Sequence, residues 1–488
     1  MEAFIGWMNG WIWSSALIYL CLGAGLFYSI LTRFMQVRLF KEMLRLLFKG
    51  ESNNEGISSF QALAVALSGR VGMGNIAGVA AAIGFGGPGA VFWMWMVAFL
   101  GAATAYVEST LAQIYKEKDP LTGEYRGGPA YYFERALGNK GYAVVFAICA
   151  IIAEAFFLPG VQANGVVEAV VQVGGEGTRY GALAIILIVL AVIIFGGIRR
   201  IANFTQFVVP FMAGGYIVMA LIIMAMNFEQ VPHVFGMIIG DAFTAQAGFG
   251  AAIGWGVKRG VYSNEAGQGS GPHMAGAAHV AHPAQQGLVQ AFSVYVDTLF
   301  VCSATAFMIL STGMYNIKGS LENGFLVQNV DAATEISSPA FTQMAMNSTF
   351  GSFGDIFVAV AIFFFAFTTI LAYYYIAEVN VAYLTRKMGA GAQKIGLFLV
   401  KCSVMAAAAY GGLSSAGYIW GVGDVGVGLM AWLNIVGLLV VFFIAKPALV
   451  ALKDYEKQRK AGITDYTFDP KKLGIKDATF WEDRLNDK

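Results

Sequence analysis

Between Leu63 and Gly89 an apolar stretch long enough to cross a bilayer is interrupted at its middle by Gly69, Gly72 and Gly74. Each glycine weakens an ordinary helix by roughly 1 kcal/mol. In hydrocarbon, every backbone N–H or C=O set free costs several more unless something meets it. The interruption offers partners of both signs. The carbonyls of Ser68 to Val71 can hold a cation, while a half-helix restarting near Gly74 and Asn75 points N–H groups and its positive dipole end at an anion. The alternative is that these glycines only let neighbouring helices approach closely.

Other polar residues also stand where hydrocarbon is expected around them. Thr368 and Thr369 put adjacent hydroxyls between FFFAF and ILAYYY, at a depth that can face Ser68 and Val71. They suit an alkali cation or bonds to carbonyls of their own helix. Asp297 and Glu154 lie well inside apolar segments, where ionisable groups are expensive and usually functional. Asp297 is read either as a coupling-ion ligand or as half of a structural polar pair, and Glu154 as the neutraliser of Arg70. Gln162, beside Pro159 and Gly160, can bond a substrate carboxylate or amine, or a neighbouring helix. Trp255 is read as a lid over the site or as an aromatic packing and interfacial residue. His273, His279 and His282 lack the carboxylate or cysteine cluster that a metal centre needs. Cys21, Cys149, Cys302 and Cys402 are isolated in apolar runs and read as small buried hydrophobes.

The elements that must position these residues are membrane helices. Of 488 residues 57% are hydrophobic and 12% charged, against about 25% charged in a typical soluble domain, and mean hydropathy is +0.63. This is an all-α polytopic membrane protein, with the lipid bilayer as its partner and no patch suited to nucleic acid. About eleven segments approach the ~20 residues needed to span: 11–33, 57–85, 89–115, 141–173, 180–197, 203–226, 236–258, 284–314, 350–385, 395–413 and 424–446. The first is read as a retained helix and not a signal peptide. Cytoplasmic loops carry the excess of Lys and Arg. With the N-terminus outside and the C-terminus cytoplasmic, 27 of the 31 such residues fall on the inner side, Lys258 and Arg259 among them. A multi-pass protein of the cell (inner) membrane is expected.

Setting aside an extra helix in 1–35 leaves ten, which divide as five plus five. An odd number per half forces opposite orientations, as in transporters built from inverted repeats. The division is a first repeat over 57–226, a second over 236–446 and a cytoplasmic tail over 447–488. The first helix of the second half should then also be broken, and the segment from Asp241 to Gly260 is interrupted at Gly248, Gly250, Gly254 and Gly256.

RVGMGNIAGVA from Arg70, GGPGAVFWMW from Gly86, GGPAYYF from Gly127, GVQAN from Gly160 and GVKRGVYSNEAGQGS from Gly256 resemble the signature stretches of the alanine or glycine:sodium symporter family. The likeness runs over nearly the whole chain. Arg70 and Met73 depart from it, standing where many members carry small hydroxyl residues. The resemblance implies a leucine-transporter-like fold with two broken helices. It implies substrate carboxylate on backbone N–H groups near Gly72, Met73 and Gly74, with Phe243, Gly248 and Phe249 around the substrate side chain at the second break. It also implies one sodium near Asn75 and Thr244, and a second held by Thr368 and Thr369 with the carbonyls of Ser68 and Val71. SNEAGQGSGP from Ser263 reads as a loop that caps a helix end and gates the inner side.

The expected function is symport of a small neutral amino acid (alanine, glycine or serine) with sodium, by alternating access. Sodium is the coupling ion, and no other cofactor and no protein partner is expected. Proton coupling or exchange is the alternative, and a membrane receptor or enzyme on the same scaffold a more distant one. Walker A, HExxH and GxSxG patterns are absent, so enzymatic chemistry is not expected.

Overall fold

The computed structural model describes residues 1–47, 56–243, 249–319, 324–440 and 442–486. Among them eight helices are long and apolar enough to cross a membrane, or ten if each of two bent pairs counts as one span. The chain begins with such a pair, α1 (Glu2–Ile12) and α2 (Ser15–Leu31), bent by 42°, where a single segment over 11–33 was expected. Then come α3 (Ser59–Arg70) and α4 (Gly74–Gly86), bent by 53° at the glycine-rich interruption. α3 starts from a capping box, Ser58 accepting from the Gln61 N–H while the Gln61 side chain accepts from the Ser58 N–H.

Long helices follow: α5 (Gly89–Ile114), α6 (Lys140–Gly174), α7 (Glu176–Ile194) and α8 (Gly197–Met226). The expected segment 236–258 is divided between α9 (Val231–Asp241) and α10 (Phe249–Asn264). Residues 265–270 separate α10 from the short α11 (Gly271–Ala277). The remaining spans are α12 (Pro283–Thr312), α13 (Ser352–Thr385), α14 (Ala390–Gly412) and α15 (Ala416–Leu439). α16 (Phe442–Lys460) and α17 (Thr479–Asn486) are the last helices among the described residues. Among the described residues, strand is confined to two antiparallel pairs, Glu117–Lys118 with Tyr125–Arg126 and Asn316–Lys318 with Phe325–Gln328.

The break that faces the first lies further along the chain than the one expected, of which Gly248 falls outside the described residues. α10 runs unbroken through Gly250, Gly254, Gly256 and Gly260. Gly256 and Gly260 serve packing on α5: a Cβ on Gly256 would stand 2.4 Å from the Ala90 carbonyl oxygen, and one on Gly260 2.4 Å from the Val97 side chain. The helix ends instead at Glu265, with φ of +58°, followed by Gly267 at +84° and Gly269 at +86°. Left-handed residues cannot continue a right-handed helix. Pro272 then starts α11, where a missing N–H costs nothing.

This second break faces the first. A Cβ on Gly74 would lie 3.0 Å from Ser263 Cα, and one on Gly69 3.3 Å from a Glu265 carboxylate oxygen. α5, α6, α12 and α13 surround the pair and supply the side chains described below. The C-terminal segments are docked to the bundle. Trp481 Nε1 donates to the Gln113 carbonyl at 2.8 Å and Arg38 pairs with Glu456 at 2.8 Å.

Candidate substrate and ion site

At the first break Asn75 reaches back, its Oδ1 accepting from the Gly72 N–H at 2.8 Å while its own N–H donates to the Gly72 carbonyl at 3.1 Å. Gln162 on α6 accepts from the Met73 N–H at 3.0 Å and donates to the Tyr373 hydroxyl on α13 at 3.3 Å. The N–H groups freed by the glycines are thus met by side-chain oxygens of Asn75 and Gln162. A substrate carboxylate at Gly72 and Met73 would exchange places with these oxygens.

On the opposite side of the break the freed carbonyls converge on one hydroxyl. Thr369 Oγ1 lies 2.8 Å from the Ser68 carbonyl oxygen, 3.3 Å from that of Val71 and 2.8 Å from that of Phe365. One hydroxyl proton cannot serve three acceptors, so the cradle is rich in oxygen and suited to a hard cation. Thr368 is elsewhere. It donates to Phe364 and Phe365 of its own helix at 2.8 and 3.1 Å, the alternative raised for this pair. Adjacent helical positions diverge by about 100°, so both hydroxyls cannot face the same break.

Asp297, wholly buried, sits in a π-helical segment of α12, Val296–Cys302. It accepts from Asn75 Nδ2 at 2.6 Å, from Ser263 Oγ at 3.0 Å on each oxygen and from Thr298 Oγ1 at 2.7 Å. It thereby ties both breaks to α12. Arg70 donates to the Gln290 carbonyl at 3.2 Å and to Ser293 Oγ, and its Nε stands 3.9 Å from Glu265. Its charged neighbours are Glu265, Glu108 and Asp297. Glu154, expected to neutralise Arg70, is therefore not its partner: the second break brought a nearer carboxylate. Glu108 holds that break from α5, accepting from the Gly267 N–H at 3.3 Å and from Asn434 at 2.7 Å.

Toward the α4 end lies a second charged group. Arg259 pairs with Asp424 through two bonds, at 2.8 and 3.0 Å, and Lys258 meets the same carboxylate at 2.6 Å. Arg259 is 2% exposed and the Lys258 side chain 13%, so these cations sit within the bundle and do not belong to the loop assigned from charge counting. Without them, 25 of 31 remain on the expected inner side. Trp255 stacks on Phe85 with ring centroids 4.5 Å apart, and Arg259 lies over Trp255 and Trp420. Phe243 does not reach the break. It is 57% exposed and packs on Phe92 and Trp93. Thr244 and Gly248, with the Phe249 side chain, lie outside the described residues.

His273 on α11 contacts the Ser270 carbonyl and Asn380, and His282 caps α12. Glu108 and Tyr262 beside the breaks carry no expectation from the sequence, while Ser263 and Glu265 belong to the run SNEAGQGSGP, expected to cap a helix end and gate the inner side. The signal was present in the polar run SNEAGQGS, whose two glycines precede a proline at the start of a new helix.

The model of the sodium:alanine symporter family matches residues 1–470. The chain belongs to this family. Within it, the chain is 55% identical to the Bacillus subtilis protein YrbD, over 99% of this chain and 98% of that one. It is 47% identical to a sodium/proton-dependent alanine carrier protein of Bacillus sp. strain PS3, over 90% of this chain and 97% of that one. It is 36% identical to the sodium/alanine symporter AgcS of Methanococcus maripaludis, over 90% and 94% of the two chains. Among solved structures, MhsT in complex with L-phenylalanine matches with a TM-score of 0.56 at 14% identity, over 82% of this chain and 98% of that one. That likeness shows the fold, which is leucine-transporter-like. Members of a symporter family are transporters and not enzymes.

Proposed function

We propose that this protein carries a small neutral amino acid, alanine foremost, across the cell membrane together with sodium, by alternating access around the two facing breaks. The observation that carries the reading is the oxygen cradle of Thr369, Ser68 and Val71 beside backbone N–H groups of the same break. A cation and a carboxylate are thereby offered adjoining places, and their mutual attraction couples the binding of one to the other.

In this reading sodium takes the cradle, with Asp297 and Asn75 as the next oxygen-bearing groups. The substrate carboxylate takes the Gly72–Gly74 backbone in exchange for Gln162, and Tyr373 and Tyr262 stand beside the side chain. Trp255 with Phe85, Trp420 and the Arg259–Asp424 pair closes the α4 end of the path, which the charge distribution assigns to the outside of the membrane. If one sodium enters per cycle, a potential of 100 mV contributes about 2.3 kcal/mol, worth about fifty-fold accumulation at 1.4 kcal/mol per tenfold.

The test is uptake of labelled alanine into vesicles holding the purified protein, with and without an inward sodium gradient. Accumulation only with the gradient is expected. Equal uptake in both arms, or none for any small amino acid, would overturn the reading.

A further inference from the structure

Among the described residues, the buried core around the two breaks holds Arg70 and four carboxylates, Glu108, Glu154, Glu265 and Asp297, each 0–1% exposed. Three of the four are provided for. Asp297 accepts from Asn75, Ser263 and Thr298, Glu108 from Gly267 and Asn434, and Glu265 stands beside Arg70. Glu154 is not. Among the described residues neither of its oxygens has a hydrogen-bond partner, and the charged group acting on it is Glu265, of the same sign. An ionised carboxylate in that position lacks what Asp297 has in the same core.

The groups facing Glu154 come from several elements. Cys149 lies on its own helix, while Tyr262 and Glu265 come from α10 and the second break and Tyr373 from α13. The Tyr262 hydroxyl is likewise buried and without a partner among the described residues. From α14, Lys401 is turned to the rings of Phe195 and Tyr374, and Cys402 and Tyr410 are exposed. From α15, Asp424 is held by Lys258 and Arg259. These neighbours are phenols and a second carboxylate, which exchange protons, whereas the Thr369 cradle presents carbonyls suited to an alkali cation.

We propose that Glu154 is a proton-binding site of the transport cycle, distinct from the sodium cradle. This rests on the symport reading. A carboxylate oxygen takes a proton from water on one side of the membrane, forming one O–H bond, and returns it to water on the other. The second break carries Glu265, so its displacement during alternating access changes the field at Glu154. Proton release is thereby tied to the conformational step.

The experiment measures protons moved per alanine carried, in vesicles enclosing a pH-sensitive dye and supplied with labelled alanine and sodium. The native protein is expected to acidify the lumen as alanine enters. Glu154→Gln, the isostere of the protonated acid, should lower the ratio of protons to alanine tenfold or more. Glu154→Asp, which keeps an acid on a shorter arm, should retain proton movement with a shifted pH midpoint. Sodium-dependent alanine uptake by the native protein without proton movement overturns this inference and leaves the symport reading standing. An unchanged ratio in Glu154→Gln, or equal loss in the Asp and Gln variants, overturns it as well. Absence of sodium-dependent uptake overturns the symport reading and this inference together.

Discussion

Thr369 Oγ1 stands 2.8 Å from the Ser68 carbonyl oxygen, across the break that divides α3 from α4. Its neighbour Thr368 donates to Phe364 of its own helix at the same distance. Two adjacent threonines thus have different tasks, and substitution separates them. Thr369→Ala is expected to raise the sodium concentration for half-maximal alanine uptake tenfold or more, about 1.4 kcal/mol. Thr368→Ala and Thr369→Ser should shift it less than threefold. The check is a sodium titration of alanine uptake at matched protein level.

Arg70 and Glu265 form the cross-break pair on which the two half-helices depend. Removing one partner of a buried pair costs about 3–5 kcal/mol, because the other charge is left uncompensated. Arg70→Met is therefore expected to lower the melting temperature of the detergent-solubilised protein markedly. Adding Glu265→Gln in the same chain should recover part of the loss. A double variant less stable than Arg70→Met alone would show that the two do not act as a pair.

The glycines of α10 should respond unequally to alanine. A Cβ on Gly256 would meet the Ala90 carbonyl oxygen at 2.4 Å, whereas one on Gly254 has nothing within 4 Å. Overpacking against backbone costs about 1–3 kcal/mol, while Gly to Ala in a free helical position gains up to about 1 kcal/mol. Gly256→Ala should lower the melting temperature and Gly254→Ala hold or raise it. The opposite order would mean that α10 is not the continuous, α5-packed helix described.

His282 joins the loop before α12 to α16, its Nε2 lying 3.3 Å from Asp454. Burial holds the imidazole below its ordinary value of 6.5, against the opposing pull of Asp454. The folded protein therefore binds fewer protons at this ring than the unfolded chain does in the range below 6.5. Stability from this group rises with pH through that range and is fully present above it. Melting temperatures are expected to fall between about pH 7.5 and about pH 5.5. His282→Gln should flatten that part of the profile, and an identical slope in the variant would place the pH dependence elsewhere.

What the sequence determined by itself follows from local and additive properties. Composition and run length are enough to make the chain a membrane bundle, because hydrocarbon tolerates only helices with satisfied backbones. The first break at Gly69–Gly74 was legible for the same reason: no helix of that composition stays whole at mid-membrane without a purpose. Family membership was carried by contiguous motifs, which need no tertiary information. Which polar groups meet was decided only by the tertiary structure, since that depends on angles around helices and on which helices touch. The glycines of α10 and those of Glu265–Ser270 read alike in the sequence, yet Gly256 and Gly260 pack on α5, whereas Gly267 and Gly269 turn left-handed in the break whose Glu265 stands beside Gly69. Thr368 and Thr369 read as a pair, yet about 100° of helix rotation parts them. Arg70 found Glu265, and Glu154 was left without a partner among the described residues. The place of a buried charge is fixed by its nearest counter-charge in space, and sequence separation carries no information about that distance.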